Sequence, residues 1–379
     1  IIDTKDDLVE DVVEDLSDKD NQFLTTSNSK GASFIKEKIF ENIVRNETDK
    51  SSAILSKVMA KSDLTTISSV INNITDKNEN IKSKLSLKVA ADFAEKNSIK
   101  LENLNQSIPN QIEKLALSAV EETVSSEEDA NLIAGIISVA SEELNNFIIN
   151  KVIKNSIDDK LTLSAKVLNS ISEINSKKIE TFSKENKKSI IDQMTQVAFN
   201  QDQGLIEEQG DMSSIVANVI INSENETSTE VLDSLGKFLE DSNSKLSLKV
   251  VVNLSKIDNF ENKLEIISDQ SLIDSNNVEK LIEKAINSID KNSELETVKN
   301  IIIESDKFLI KKIIEINKKT NKENQIKIDE IIDKIIKEDP IKSKEIIEEK
   351  KEKKIIEEIK KPKKIKKIKD VIDTNISPN

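Results

Sequence analysis

The sequence predicts an all-α protein of stacked helical repeats, an α-solenoid or superhelix ending in a charged C-terminal helix and tail. Three observations carry this. Apolar residues recur at helical spacing along most of the 379 residues, and two short markers return about every 80 residues. The residues that sheets and their turns draw on are also scarce, with only 5 Gly, 4 Pro and 3% aromatics. Charged residues reach 33% against 36% hydrophobic, but the periodicity is too regular for a disordered chain.

The elements follow in order. Leu8, Val9, Val12, Val13 and Leu16 predict a helix, and Phe34 to Val44 a second. In the first full unit, Ile54, Leu55, Val58 and Met59 form one stripe, then Ser62-Asp63 interrupts as capping residues do. Leu64, Ile67, Val70, Ile71 and Ile74 make the next helix, and Leu85, Leu87, Val89, Ala90 and Phe93 the third. The fourth carries Ile112, Leu115, Leu117, Val120 and Val124, opened by Pro109, whose missing N–H is harmless at a helix start. Four short helices per unit are therefore expected.

Later units repeat the plan. The marker Ser62-Asp63 returns as Ser141-Glu142, Ser223-Glu224 and Ser305-Asp306, at intervals of 79, 82 and 82. Lys84-Leu85-Ser86-Leu87-Lys88-Val89 returns as Lys245-Leu246-Ser247-Leu248-Lys249-Val250, with Lys160-Leu161-Thr162-Leu163, followed by Lys166-Val167, between them, at 76 and 85. Apolar stripes flank each marker, such as Leu132 to Val139 with Leu144 to Ile153, or Ile215 to Ile220 with Val231 to Leu239. The helices at Leu8 and Phe34 fit the third and fourth slots of an earlier unit. With Ile1-Ile2-Asp3 at the start and no initiator Met, this predicts an N-terminus cut from a longer product.

Short amphipathic helices of this kind bury their stripes only by stacking on neighbours. The pattern resembles the HEAT and armadillo class of helical repeats. More faintly it looks like the short-helix superhelices of flagellar switch proteins and magnesium-transporter intracellular domains. The resemblance covers roughly residues 5 to 335 and concerns architecture, so it implies no activity or site. The expected organisation is a leading partial repeat and acidic linker over 1–32, then an array over 33–335. Its units are roughly 33–110, 111–190, 191–276 and 277–340. A charged helix and basic, partly disordered tail follow over 341–379.

Composition also limits chemistry. Without His or Cys there is no imidazole or thiolate metal site, no such nucleophile and no disulfide. The formal net charge of −14 speaks against a general nucleic-acid binder. Arg45 is the one arginine beside 55 Lys; with abundant Ile and Asn, this reads as AT-rich coding rather than a functional demand for Lys. Ser33-Phe34-Ile35-Lys36 fits a Ser-x-x-Lys pattern expected by chance in such a chain. The loop Asn200 to Asp211, with Asp202, Glu207, Glu208 and Asp211, lacks the alternating ligands of a calcium loop and reads as a hinge or insertion. Gly135 and Gly236 fall inside predicted helices, where close packing is the ordinary reason for glycine. The ten Phe read as core.

The ends differ in charge. Asp3 to Asp20 holds nine acids and two Lys, whereas Lys360, Lys361, Lys363, Lys364, Lys366, Lys367 and Lys369 form a basic run with no acid. That run is the candidate contact for an anionic surface, although no aromatic residue anchors it. The most apolar stretch, Ala130 to Ala140, is too short to span a bilayer. The expected role is a cytoplasmic, non-catalytic scaffold for protein–protein interaction or assembly, without cofactor or metal. The alternative is an adaptor or regulatory domain of a membrane-associated machine, docked through its basic end.

Overall fold

The computed structural model describes residues 30–46, 49–76, 84–158, 162–206, 210–238, 244–270, 277–289, 292–304, 307–317 and 322–360, with Asp11, Val13 and Asp15. Among them are nineteen α-helices, one 3-10 helix and no strand. The chain falls into two compact units, Ile1–Lys291 and Asn292–Asn379.

In the first unit, α1 (Lys30–Asn46) and α2 (Asp49–Lys61) precede α3 (Leu64–Thr75). Asp63 caps α3: the Thr66 N–H donates to its carboxylate at 2.8 Å, meeting one of the amides a helix start leaves open. Ile67, Val70, Ile71 and Ile74 are fully buried, but Leu64, placed on the same stripe by spacing, is exposed in the first turn. The helices α4 (Leu85–Lys96), α5 (Ser98–Ser107) and α6 (Pro109–Glu122) follow, with Pro109 at the start of α6. Sequence periodicity misses α5 because it buries only Leu101 and Leu104. Val124 lies beyond the end of α6 and is exposed.

Next come α7 (Glu127–Val139), α8 (Glu142–Asp158), α9 (Leu163–Asn175), the 3-10 helix Ser176–Thr181 and α10 (Lys184–Asp202). Ser126, Ser141 and Ser183 cap α7, α8 and α10, their hydroxyls accepting from the Asp129, Leu144 and Asn186 amides. Within the recurring Ser-acid pair, then, the cap is the acid at Asp63 and the serine at Ser141. The unit closes with α11 (Met212–Asn222), capped by Asp211, then α12 (Asn225–Phe238), α13 (Leu246–Leu254), α14 (Phe260–Gln270) and α15 (Asn277–Asn287). The starts of α4, α9 and α13 align Leu85 with Leu163 and Leu246, 78 and 83 residues apart. The middle copy of that marker therefore starts at Thr162, two residues later than the Lys160 start read from sequence, and keeps the Lys166-Val167 pair of that reading.

The packing separates these helices into two series. In one, α2, α4, α7, α9, α11 and α13 each pack on the next; in the other, α1, α3, α6, α8, α10, α12 and α15 do so. Cross-contacts join α2 to α3, α4 to α6, α7 to α8, α9 to α10, α11 to α12 and α13 to α15. In three of these pairs a short element intervenes along the chain: α5, the 3-10 helix or α14.

The second unit holds α16 (Asn292–Glu304), α17 (Lys307–Asn317), α18 (Lys322–Glu338) and α19 (Pro340–Lys360). Its core is largely isoleucine, including Ile301, Ile302, Ile310, Ile313, Ile331 and Ile335. Asp339 accepts from the Ile341 and Lys342 amides, so Asp339-Pro340 closes α18 and opens α19.

Candidate interaction surface

The described surface of the first unit is organised by side chains that reach about 40 residues along the chain. The tripeptide Lys-Leu/Ile-Glu occurs three times in the sequence, at Lys100-Leu101-Glu102, Lys178-Ile179-Glu180 and Lys263-Leu264-Glu265. Each copy lies in a short intervening element, and each middle residue is buried. Lys100 donates to the Ala60 and Ser62 carbonyls at 2.6 and 3.1 Å, Lys178 to Ala140 at 2.8 Å, and Lys263 to Ser223 at 2.6 Å. Each lysine thus occupies carbonyls at a helix C-terminus, where the helix leaves them open and a cation is favoured. Burial holds all three amines below the usual lysine range.

A second set of bonds ties the helices of the other series. Lys114 donates to Asn72 at 3.1 Å, Asn155 to the Val120 carbonyl at 3.4 Å, Gln193 to the Ile153 carbonyl at 3.0 Å and Ser234 to Asp192 at 2.5 Å. Near the N-terminus of α7, Asp129 has no exposed surface; it accepts from Lys84 at 2.6 Å and from the Val124 amide at 2.7 Å.

Two clefts open between helices of this series. One, of about 580 Å³, lies between α1 and α3 and is lined by Glu37, Glu41 and Arg45 on one wall and Ser68, Ser69 and Asn72 on the other. The other, of about 210 Å³, lies between α10 and α12 and sets Lys184, Lys188 and Asp192 beside Glu230, Asp233 and Lys237. Next to it, buried Lys187 donates to Glu180 at 2.6 Å and pairs with Glu226 at 3.6 Å and Glu230 at 3.5 Å. Burial works against the Lys187 charge, but the Glu180 bond and the neighbouring carboxylates outweigh it and hold the ammonium above its ordinary range. Burial, with repulsion from Glu226 and Glu180, pushes Glu230 up. Both shifts are upward, which favours the charged form of Lys187 and the neutral form of Glu230, because three carboxylates share one ammonium and Glu180 holds it most closely.

The residues singled out from sequence are distributed as follows. The seven lysines from Lys360 to Lys369 lie outside the described residues, apart from the Lys360 backbone at the end of α19, as do Glu207 and Glu208. So does the Ser33 side chain; Lys36 is 4% exposed, its Nζ has no hydrogen-bond partner, and burial pushes its amine down despite Asp63. Asp202 is engaged by Lys249 at 2.7 Å and by the Ser244 hydroxyl and Lys245 amide. Asp211 accepts from Ser213 and Asn253. Gly204 and Gly210, at φ +68° and +105°, turn the chain between α10 and α11, where an L side chain is strained. No Asp/Glu group fit to hold a metal occurs among the described residues.

Two further expectations are corrected. A Cβ at Gly135 or Gly236 meets nothing within 4 Å, so close packing is not what either glycine serves. Phe34 is 61% exposed rather than core. The sequence signal overlooked was the Lys-Leu/Ile-Glu triplet, at intervals of 78 and 85 residues.

No helix among the described residues is long and apolar enough to cross a membrane. No family model matches the chain. No curated protein matches it either. A solved structure described as "Computational Design of Self-Assembling Cyclic Protein Homooligomers" aligns at 15% identity over 92% of this chain and 99% of its own, with a TM-score of 0.14, too low to carry any argument.

Proposed function

We propose that residues 30–291 form an α-solenoid of helical hairpins that serves as a non-catalytic scaffold for protein–protein interaction or assembly. In this reading the 80-residue period is two hairpins, one plain and one carrying a short third element. The supporting observation is the lysine triplet, whose three copies make the same bond to a helix end at the same point of the period. Stacked hairpins expose extended surface, and binding by such proteins is a property of that surface. Small-angle scattering of the full chain tests the architecture. A radius of gyration well above the roughly 21 Å of a compact 379-residue globule is expected; a value at that figure sinks the solenoid. The role is tested by crosslinking in the native cell: recovery only as an uncrosslinked monomer sinks the scaffold.

The basic run Lys360 to Lys369 supports a second reading, an adaptor docked on an anionic membrane, since each lysine near such a surface contributes about 1 kcal/mol. Sedimentation with phosphatidylserine vesicles, with and without residues 360–379, decides it. Equal binding by both forms removes it.

A further inference from the structure

Arg45 differs from the other cationic residues in kind and in place. It is the one arginine beside 55 lysines, and it lines the cleft between α1 and α3. A cation in the last turn of α1 complements the helix dipole, but lysine would do that equally well, so the dipole does not account for a guanidinium. What a guanidinium adds is a planar fork of donors that holds a carboxylate at two points.

The other charges of the cleft are mostly committed. Glu41 is held by Lys38 at 2.6 Å, and Asp76 is held by Lys114. Arg45 and Glu37 remain, both exposed and with no ion pair or hydrogen bond to a described residue. They lie eight residues apart on one helix, hence about 12 Å along its axis. The facing wall supplies neutral hydrogen-bonding groups from Ser68, Ser69 and Asn72. Three carboxylates in one cleft make a phosphate dianion a poor ligand and a single carboxylate a better one. A ligand with one charge of each sign also avoids repulsion by a protein of net charge −14.

We propose that this cleft binds an extended polypeptide segment of a partner protein, with Arg45 taking a carboxylate at two points and Glu37 taking an ammonium about 12 Å away. The proposal rests on the interaction reading above only in naming a polypeptide, and not on the stacked arrangement, so scattering data and the following test fail separately.

A lone arginine gives one side-chain Nε–Hε resonance in a ¹⁵N-labelled sample of the full chain, assigned without ambiguity by its loss in Arg45→Lys. The probe is the blocked pentapeptide Asp-Gly-Gly-Gly-Lys, whose charges in extended form span a similar distance. Saturable displacement of that resonance is expected, with affinity at least about tenfold weaker when Asp is replaced by Asn, or when the protein carries Arg45→Lys and binding is followed at the Asn72 side-chain amide. Glu37→Gln should weaken binding of the same probe but not of its Asp-Gly-Gly-Gly-Gln counterpart. A shift that grows without saturating overturns the site, as does equal affinity for the Asp and Asn peptides. Tighter saturation by inorganic phosphate overturns the polypeptide ligand.

Discussion

The two units reach the same all-helical state by different means. In the first, helix ends are joined to neighbours about 40 residues away by partly or wholly buried polar groups: Lys100, Lys178 and Lys263 on carbonyls, and Asp129 between Lys84 and the Val124 amide. In the second, the described ion pairs between α16 and α18, Lys299–Glu338 and Lys334–Glu296, stand at the surface over an isoleucine core. Apolar burial is non-directional and fixes contact better than register. A buried charge with two or three defined partners is satisfied in one arrangement only, so polar ties of this kind specify which helix end meets which. They also make the first unit the more vulnerable to single changes.

Asp129→Ala is the severest test of that contrast. It strands the Val124 amide and the Lys84 ammonium, and it removes an acid from the first turn of α7, where the helix dipole favours one. The expected loss is about 3 kcal/mol, with part regained in Asp129→Asn, which keeps the shape and one acceptor. Denaturant unfolding followed by far-ultraviolet circular dichroism measures it, tryptophan and tyrosine being absent. A loss under about 1 kcal/mol would mean the buried ties contribute no more than surface pairs do.

Lys178→Met should act in the same direction at about 1 kcal/mol, since it removes one charged hydrogen bond but also relieves the burial of an ammonium. Its pH dependence is the sharper signature. Burial lowers the folded-state amine below its unfolded value of 10.5, partly offset by Glu102. Between those two values the unfolded chain binds the extra proton, so stability rises with pH. The neutral amine still donates. The gap between wild type and Lys178→Met should therefore widen as pH rises toward 10.5, and a gap that narrows would contradict a desolvated clamp.

Helix stripes were legible in the sequence because burial imposes a spacing that apolar residues cannot disguise. Ile67, Val70, Ile71 and Ile74 stand where that spacing puts them. Legibility ends where burial is sparse or the stripe runs out. Leu64 and Val124 keep the period but sit at helix margins with no neighbour over them, and α5 turns too little of itself inward to show a period. The Lys-Leu/Ile-Glu clamp was present in the letters but not in the hydropathy, because a lysine bound to a carbonyl looks like any surface lysine until the helix end it reaches is known. The α1–α3 cleft was illegible for the same reason: Arg45 could be counted from sequence, but its neighbours Ser68, Ser69 and Asn72 belong to another helix.

The smallest effect is expected in the second unit, at Lys299→Met. Lys299 bridges Glu338 at 2.6 Å and Glu296 at 3.0 Å, a geometry that resembles the Lys187 cluster on paper. The difference is solvent. The Lys299 stem is covered while its ammonium faces water, and both glutamates are about half exposed, so the carboxylates left behind are hydrated rather than stranded. Methionine keeps the covered stem. The unfolding midpoint should stay where it is, and its salt dependence should change only slightly, whereas Lys187→Met in the first unit leaves Glu180 and Glu230, both more covered than either partner of Lys299, without their cation and should lower the midpoint clearly. Equal shifts for the two lysines would show that pairing geometry, rather than burial, sets the strength of these ties, and the contrast between the units would lose its physical basis.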